Sequence, residues 1–274
     1  MNSSRIAGLI HSALEGMECR GKIVSVQRLD DLKNEIEWHH EAGVFDELFY
    51  RENLTVFDFE AQQKFPAARS IIVTAAPQPQ QWVGFWFKGR HHRFILPPTY
   101  SYGTDVAIEK TLAEILNSRG YCLWPASLPL KLLAARSGLA QYGKNNIAYV
   151  EGMGSFHRLK AFLSDLSATD GKWTKPRSMD QCEGCTACMK QCPTSAIRPK
   201  RFLIHAEKCL TFHNEREVEF PEWIERSWHH CLIGCMRCQL ACSVNEWLFD
   251  WFEETEDFSA EETGLMMKCA SRSE

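Results

Sequence analysis

The chain has 274 residues, with 31 basic and 35 acidic side chains and a formal net charge of −4. An apolar content of 45% and a charged content of 24% are ordinary for a globular domain and exclude collagen, a coiled coil and wholesale disorder. The near-neutral net charge does not favour a protein whose main role is to bind the phosphate backbone of a nucleic acid. No apolar run reaches the length of about 18 residues that a transmembrane helix needs, and the N-terminus lacks a signal-peptide cleavage pattern. We therefore expect a cytoplasmic protein with no membrane partner.

Helical and strand patterns alternate through the first 170 residues. Ile6, Leu9, Ile10 and Leu14 recur at helical spacing and predict a first helix. Asp30 is predicted to cap the second helix. Helices are then predicted at 30–41, 105–118 and 128–138, and strands at 22–28, 70–76, 121–124, 146–150 and 157–163. Strands interleaved with helices indicate an α/β layer structure.

Residues 82–94, WVGFWFKGRHHRF, mix aromatic and basic side chains. Such a mixture can stack bases or contact a membrane surface. The simpler interpretation is a half-buried hairpin that turns at Lys88–Gly89–Arg90.

The polar segment 168–181 is predicted to separate two domains, because it contains Gly and Pro between patterned regions. We expect an α/β domain at 1–170, a cysteine-rich module at 171–245 and an acidic tail at 246–274. The tail carries nine acidic and two basic residues, and it is either a docked terminal helix or a loose tail.

Cysteine is the informative residue type, with twelve in the chain. Nine of them fall between residues 182 and 242. Clustered cysteines form disulfides in secreted proteins, whereas in a reducing compartment they are more often metal ligands. Cys19, Cys122 and Cys269 lie outside this cluster and are expected to be ordinary thiols.

The first cysteine run is Cys182-x2-Cys185-x2-Cys188-x3-Cys192-Pro193. This spacing is typical of ferredoxins, in which three thiolates converge on one [4Fe–4S] cluster and the fourth cysteine binds a different cluster. The proline fits the first turn of a helix, where no amide donor is needed. Zinc is the alternative, but zinc sites are usually built from two separated pairs.

A second, shorter run follows as Cys235-x2-Cys238-x3-Cys242. In a two-cluster module the last cysteine of each run crosses to the other cluster. The first cluster would then take Cys182, Cys185, Cys188 and Cys242. The second would take Cys192, Cys235, Cys238 and one of two upstream cysteines, Cys209 or Cys231.

The order of motifs resembles the epoxyqueuosine reductase family and its relatives over roughly residues 40–245. The segments that carry the resemblance are FPAARSIIVTAAP at 65–77, RSGLAQYGKNN at 136–146, GSFHRL at 154–159, FLSDL at 162–166, CEGCTACMKQCPTSAI at 182–197, KCL at 208–210 and GCMRCQLAC at 234–242. The resemblance implies an α/β (α+β) N-terminal domain of the nitroreductase or cobalamin-reductase type, followed by a ferredoxin-like module with two [4Fe–4S] clusters. It also implies that the clusters pass electrons to a bound cobalamin, which reduces the epoxide of a modified tRNA nucleoside.

The resemblance also assigns residues. Lys208–Cys209–Leu210 matches the family context of the last ligand, which selects Cys209 over Cys231. A second block is expected to contact the corrinoid, since its glycines allow a close backbone approach; the alternative is a glycine-rich turn with a satisfied Asn cap. The expected corrinoid contacts are Arg136, Gly138, Gly143, Lys144, Asn145, Asn146, Gly154 and Ser155.

Two segments depart from the family pattern. Residues 123–128 contain no acid where the family carries a proton-donating Asp, and PPTYSYGTD at 97–105 replaces its Tyr-His pair. Tyr100, Tyr102 and Tyr142 are therefore candidate catalytic acids, because a neighbouring cation can lower the pKa of a tyrosine hydroxyl.

We predict an iron–sulfur oxidoreductase that receives electrons from a donor such as ferredoxin or flavodoxin and reduces a substrate through a corrinoid. The expected substrate is a small molecule or a modified nucleoside, and tRNA is the less favoured one. The alternative is a non-catalytic electron carrier or activase, which would serve a partner corrinoid protein and use the acidic tail for docking.

Overall fold

The computed structural model describes residues 2–100 and 102–270. The strands are β1 Arg20–Ser25, β2 Ser70–Pro77, β3 Gln80–Phe87, β4 Arg90–Leu96, β5 Leu123–Pro125, β6 Ala140–Tyr142, β7 Ala148–Val150, β8 His157–Ser164 and β9 Phe252–Phe258. The helices are α1 Ser3–Gly16, α2 Arg28–Glu41, α3 Glu47–Phe49 (continued by a π-helix at Tyr50–Leu54), α4 Ala61–Lys64, α5 Gly103–Asn117, α6 Leu130–Arg136, α7 Ala187–Gln191, α8 Leu210–Asn214, α9 Arg237–Leu240 and α10 Ala260–Ala270.

A four-stranded sheet forms the centre of the first 170 residues. Its strands lie in the order β1-β2-β8-β5, and every neighbouring pair is antiparallel. Helices cover both faces, because the strands alternate buried side chains to each side. Ile72 points to the core formed with α1 and α5, whereas Ile71 and Val73 point to the core formed with α2 and α6. The mixed α/β layer structure predicted from the sequence is confirmed.

Most predicted elements are present, with shifts at their ends. Ile6, Ile10 and Leu14 are buried along α1, but Leu9 is 39% exposed and lies off the apolar face. Asp30 was wrongly predicted as a helix cap, because α2 begins two residues earlier and Asp30 lies in its first turn. A carboxylate there still favours the helix by facing the positive end of its dipole.

The aromatic and basic segment is a hairpin, as predicted. β3 pairs antiparallel with β4, and the two turn residues Lys88 and Gly89 both have positive φ, 49° and 72°. Two consecutive left-handed residues match the twist of the flanking strands.

The acidic tail supplies a third strand to this hairpin. β9 pairs in parallel with β3, so the order is β4-β3-β9. Arg93 pairs with Glu254, and His91 Nε2 lies 2.8 Å from Asp257 Oδ1. The acids of the tail thus lie against the basic side chains of the hairpin, and the tail is docked through a strand and then α10. Cys269 lies where the structure describes no side chain.

The cysteine-rich segment has little regular structure beyond three short helices, α7, α8 and α9. It joins the sheet through a small apolar cluster in which Ile95 and Phe156 pack with Met236 and Leu248. In the described part of the chain, no helix combines the length and apolarity needed to cross a bilayer.

Candidate metal centre

Two short helices bring the two cysteine runs together. Cys188 lies in α7 and Cys192 directly follows it, while Cys238 lies in α9 and Cys242 follows shortly after. α7 packs against α9, so the end of each run lies beside the other run. The eleven cysteines with described side chains are all free thiols.

The first group of thiols surrounds Cys188. Burial raises the pKa of Cys188 to about 11, and the neighbouring thiols of Cys182, Cys185 and Cys242 raise it further. Cys242, from the second run, therefore lies near Cys188 of the first run. This neighbourhood suits the crossed ligand set, which stays a prediction.

The second group of thiols surrounds Cys235 and Cys238. Burial raises the pKa of Cys235 to about 11, and the thiols of Cys209 and Cys192 add to the shift. The pKa of Cys238 is raised well above its usual range, first by burial and then by Cys209 and Cys235. Cys192, from the first run, thus lies with the second run.

Cys231 has different surroundings from Cys209. Burial raises its pKa to about 12, and Cys235 is the cysteine that adds to this shift. Its side chain belongs to the apolar cluster with Ile95 and Met236. These contacts favour Cys209 as the fourth thiol of the second group.

The donor set fits two cubane clusters. Buried thiols with raised pKa values stay protonated when no metal is bound, and metal binding displaces those protons. The Lys144 amide donates to Cys182 Sγ at 3.3 Å, and the amides of Thr211 and Phe212 donate to Cys209, which stabilises thiolate charge. No three His, Cys, Asp or Glu side chains of residues 2–100 and 102–270 are grouped to hold one metal ion. A single-ion site is not what a cubane cluster needs. Each of its four iron atoms binds one cysteine sulfur, so the four sulfurs that hold one cluster are separated from one another.

The GKNN loop contacts this first group of thiols. Lys144 Nζ donates to the carbonyl of Cys185 at 2.6 Å. Asn145 Nδ2 donates to the Tyr149 hydroxyl at 3.1 Å, and burial, followed by the neighbouring Cys242, raises the pKa of Tyr149. The loop is therefore packed onto the cysteine module.

Ser155 belongs to a buried network on the same module. Its amide donates to Asn245 Oδ1 at 2.9 Å, and its hydroxyl lies 2.8 Å from Gln239 Oε1. Asn245 Nδ2 donates to Ser155 Oγ at 2.8 Å, and the Asn245 amide donates to the carbonyl of Cys242 at 2.9 Å. Gly154, at a φ of 55°, leaves room for this network, since a Cβ there would lie 2.4 Å from Asn245 Oδ1.

The other expected corrinoid contacts are also engaged within the chain or lie apart. Arg136 Nε donates to Glu35 at 2.7 Å, and Gly138 is a turn residue with a φ of 74° beside Lys172. Asn146 differs, because its Nδ2 is buried without a hydrogen-bond partner. Such an unpaired donor suits a ligand carbonyl.

Two cavities, of about 340 and 160 Å³, have linings that include none of the eight expected corrinoid residues. Even the larger is near the lower limit of roughly 300–1,000 Å³ for drug-sized ligands, and a corrinoid is several times larger than such a ligand. Neither of these two cavities is therefore the expected corrinoid site, and the eight expected contacts stay a prediction.

The three candidate acids lie in different surroundings. Tyr100 donates to the Glu215 carboxylate, and burial followed by Glu215 raises its pKa. Tyr142 is 6% exposed, and burial followed by Glu35 raises its pKa. A carboxylate is thus among the causes that raise the pKa of each of these two hydroxyls, and the role of either as a catalytic acid stays a prediction.

Tyr102 does have a cation beside it. The Arg158 guanidinium lies 4.1 Å from the centre of the Tyr102 ring, and the side chain is 62% exposed. Residues 123–125, at the start of the stretch without an acidic side chain, form the short edge strand β5, where the ring centres of Trp124 and Phe65 are stacked 4.9 Å apart.

Sequence reasoning missed Tyr149 and Asn245. Tyr149 falls in the predicted strand at 146–150, and that pattern gave no sign of its contact with the GKNN loop. Asn245 lies three residues after Cys242, and nothing in its spacing distinguished it from a loop residue.

Comparison with known proteins agrees with this arrangement. Residues 181–245 match the 4Fe-4S double cluster binding domain, so the chain carries a module for two [4Fe–4S] clusters. The epoxyqueuosine reductase of Gloeobacter violaceus is 30% identical over 217 residues, which cover 73% of this chain and 64% of the relative. That of Staphylococcus aureus is 26% identical over 227 residues, covering 79% of this chain and 58% of the relative.

Solved structures show the same fold. An epoxyqueuosine reductase solved with an epoxyqueuosine-modified tRNA stem loop superposes with a TM-score of 0.68 at 18% identity, covering 90% of this chain and 67% of that one. The Streptococcus thermophilus enzyme gives 0.64 at 17% identity, with 88% and 66% covered. The chain resembles epoxyqueuosine reductases in sequence and fold, and it spans 50% and 37% of two further curated relatives.

Proposed function

We propose that this chain is an iron–sulfur reductase of the epoxyqueuosine reductase type, in which two [4Fe–4S] clusters carry electrons towards a substrate site on the N-terminal domain. The observation that carries the proposal is the division of eight thiols into two crossed groups. Because α7 packs against α9, the last cysteine of each run lies beside the thiols of the other run. Two clusters held this way lie close together, which suits electron transfer.

The ligand assignment is part of the proposal. The two-cluster domain is placed at 171–245, between an N-terminal domain at 1–170 and the tail at 246–274. The first cluster is bound by Cys182, Cys185, Cys188 and Cys242. The second cluster is bound by Cys192, Cys209, Cys235 and Cys238.

The exposure of the cysteines indicates where electrons would enter the two clusters. Cys185 is exposed, whereas Cys188 is buried, so the first cluster has one side near solvent. A donor such as ferredoxin or flavodoxin would deliver electrons there. A reducing cytoplasm is the compartment that keeps such a set of free thiols available for iron.

The proposal includes cobalamin as the group that receives electrons from the clusters, and the support for it is the resemblance to the family. Neither cavity described above is lined by the eight expected contacts, so we assign no residue and no chemical step to it. The same observation favours the second candidate function, a non-catalytic electron carrier or activase that serves a corrinoid bound to a partner protein.

A modified nucleoside or another small molecule is the proposed substrate of the reductase. The relative solved with a tRNA stem loop makes tRNA one source of such a nucleoside. The absence of an acid at 123–128 argues against efficient reduction of the tRNA epoxide, since the stretch that bears the family's proton donor has no group to replace it.

Anaerobic purification and reconstitution test both candidates. Two cubane clusters require about eight iron and eight sulfide atoms per chain; four of each after careful reconstitution would overturn the two-cluster assignment. Titration with hydroxocobalamin then separates the functions. A stoichiometric complex with a base-off spectrum supports the reductase, whereas clusters without bound corrinoid support the carrier.

A further inference from the structure

Positive charge is concentrated in one segment of the chain, around the first cysteine run. Residues 172–201 hold seven basic and two acidic side chains, whereas the rest of the chain holds 24 basic and 33 acidic ones. The segment is therefore strongly positive in a protein that is otherwise strongly negative. Six of its basic side chains are exposed, and we call them the basic patch: Lys172, Lys175, Arg177, Lys190, Arg198 and Lys200.

Backbone contacts bring one side of the basic patch close to the exposed Cys185. The Tyr142 amide donates to the carbonyl of Arg177 at 3.2 Å, and the Met179 amide donates to the carbonyl of Tyr142 at 2.8 Å. Two residues further along, Lys144 Nζ donates to the carbonyl of Cys185 at 2.6 Å. Arg177 and Cys185 are thus held by two positions of the same hairpin, β6–β7, that are only two residues apart.

The other side of the basic patch comes from α7 and the loop after it. Lys190 lies in the last turn of α7, and this helix begins two residues after Cys185. Phe202 follows Lys200 by two residues and contacts the Tyr142 ring edge-on, with ring centres 5.4 Å apart. Its side chain is 39% exposed. An exposed aromatic ring among charged side chains is typical of a protein–protein interface.

The composition of this surface favours a protein partner over a nucleic acid. Asp180 and Glu183 are exposed within the same segment. They would repel a phosphate backbone, whereas a protein partner can place its own cations opposite them. The loop at 183–186, which contains Cys185, is exposed throughout. A partner that docks here therefore lies beside the first group of thiols.

We propose that the basic patch docks an acidic electron carrier of the flavodoxin type, with the edge of its flavin facing the Cys185 loop. The inference rests on the proposed function, which places the first cluster at this loop. One electron passes from the carrier to the cluster. The anionic flavin hydroquinone is oxidised to the neutral semiquinone, and the cluster is reduced from [4Fe–4S]²⁺ to [4Fe–4S]⁺. No proton moves and no bond breaks.

The first test is stopped-flow mixing of fully reduced flavodoxin with the reconstituted full chain. In the wild type, the second-order rate constant should fall about tenfold between ionic strengths of about 0.05 and 0.5 M, because salt screens the attraction. Arg177→Glu combined with Lys200→Glu should lower the low-salt rate constant about tenfold and remove most of the salt dependence. Lys88→Glu combined with Lys110→Glu is the matched control, because both lysines are exposed in other elements and the change in net charge is the same.

The second test detects the complex without any electron transfer. A carbodiimide joins lysine amines to carboxylates that lie against them, and mass spectrometry identifies the linked peptides. We expect oxidised flavodoxin to be linked to Lys175, Lys190 or Lys200 at low salt, and these links to disappear at high salt. Links to Lys88 or Lys110 instead would overturn the inference.

The remaining outcomes are equally decisive. A rate constant that does not depend on salt, or equal slowing in the two double variants, overturns the inference. Transfer RNA whose binding is weakened by Arg177→Glu with Lys200→Glu, while reduction by flavodoxin is unchanged, assigns the basic patch to a nucleic acid and also overturns it. The iron content of the wild type and its reduction by methyl viologen radical, a small cation, test the proposed function separately. Both clusters reduced by the viologen but no patch-dependent reaction with flavodoxin refutes the docking alone, whereas fewer than two clusters refutes the proposed function.

Discussion

Asp105, in the first turn of α5, is the buried anion that joins this helix to β8 of the sheet. Both its oxygens accept from Arg158 Nε at 2.8 Å, and Lys160 Nζ lies 3.6 Å away. The side chains of Asp105 and Arg158 are 9% and 16% exposed. Arg158 also donates to the carbonyl of Thr99. Replacing Asp105 by asparagine keeps the shape but leaves two neighbouring cations without an anion.

Removal of one partner from a buried ion pair costs about 3–5 kcal/mol. At about 2–4 °C per kcal/mol for a large domain, Asp105→Asn should lower the melting temperature by roughly 6–20 °C. The assay is anaerobic thermal unfolding followed by far-ultraviolet circular dichroism. Asp31→Asn is the matched control, because Asp31 pairs with Arg28 at 2.9 Å with both side chains about 40% exposed, and exposed pairs contribute about 0–1 kcal/mol. Equal shifts in the two variants would refute this account of Asp105.

Three further predictions concern the clusters, pH and the substrate. Cys209→Ala should lose the spectroscopic signal of one cluster while Cys231→Ala keeps both; the reverse result would make Cys231 the ligand. Burial lowers the pKa of His157 to about 4, below the unfolded value of about 6.5, so the stability that its neutral ring contributes is full above about pH 6.5 and is lost as the pH falls towards 4. The loss of about 2 kcal/mol by pH 5 should be absent in His157→Gln, whose melting temperature we expect to fall less between pH 7 and pH 5. Turnover of epoxyqueuosine-containing tRNA should be slow or absent and only slightly higher in Trp124→Asp; rapid turnover by the unmodified protein would show that another acid serves the reaction.

The metal centre was the part of the site that sequence could predict best. The gaps of two and three residues between cysteines are local distances, and a short loop and one helical turn convert them directly into geometry. The choice between Cys209 and Cys231 was different, because Cys231 stands four residues before Cys235 and Cys209 stands 26 residues before it, and neither gap is the two-residue spacing of the first run. Spacing left it open, and the packing of Cys231 into an apolar cluster with Ile95 and Met236 distinguishes the two only in three dimensions.

The GKNN and GS segments show the limit of reading function from a motif. Their glycines and amides suit a large ligand, yet the same residue types suit tight packing of one chain segment on another. Lys144 contacts Cys182 and Cys185 of the cysteine module, and Ser155 contacts Asn245. Gly143 and Asn145 instead pack against Tyr149 in the same part of the chain. The residues of the cysteine module that these segments contact lie about 40 to 100 residues further along the chain. Hydrophobic periodicity describes only local structure, so it cannot predict such a long-range contact.

The sequence by itself determined the elements and their apolar faces, because helical and strand periodicities follow from backbone geometry. It also determined the hairpin turn, since Lys88–Gly89 can adopt the left-handed conformation that the strands require. Tertiary structure alone decided the antiparallel order β1-β2-β8-β5 and the docking of the acidic strand β9 beside β3. The seven residues of β9 are mostly exposed acids with little apolar alternation, so no local pattern predicts a strand there. It forms because Glu254 and Asp257 meet Arg93 and His91 and because Phe252 and Phe258 stack on Trp82 and Phe85, contacts that exist only once the hairpin has folded.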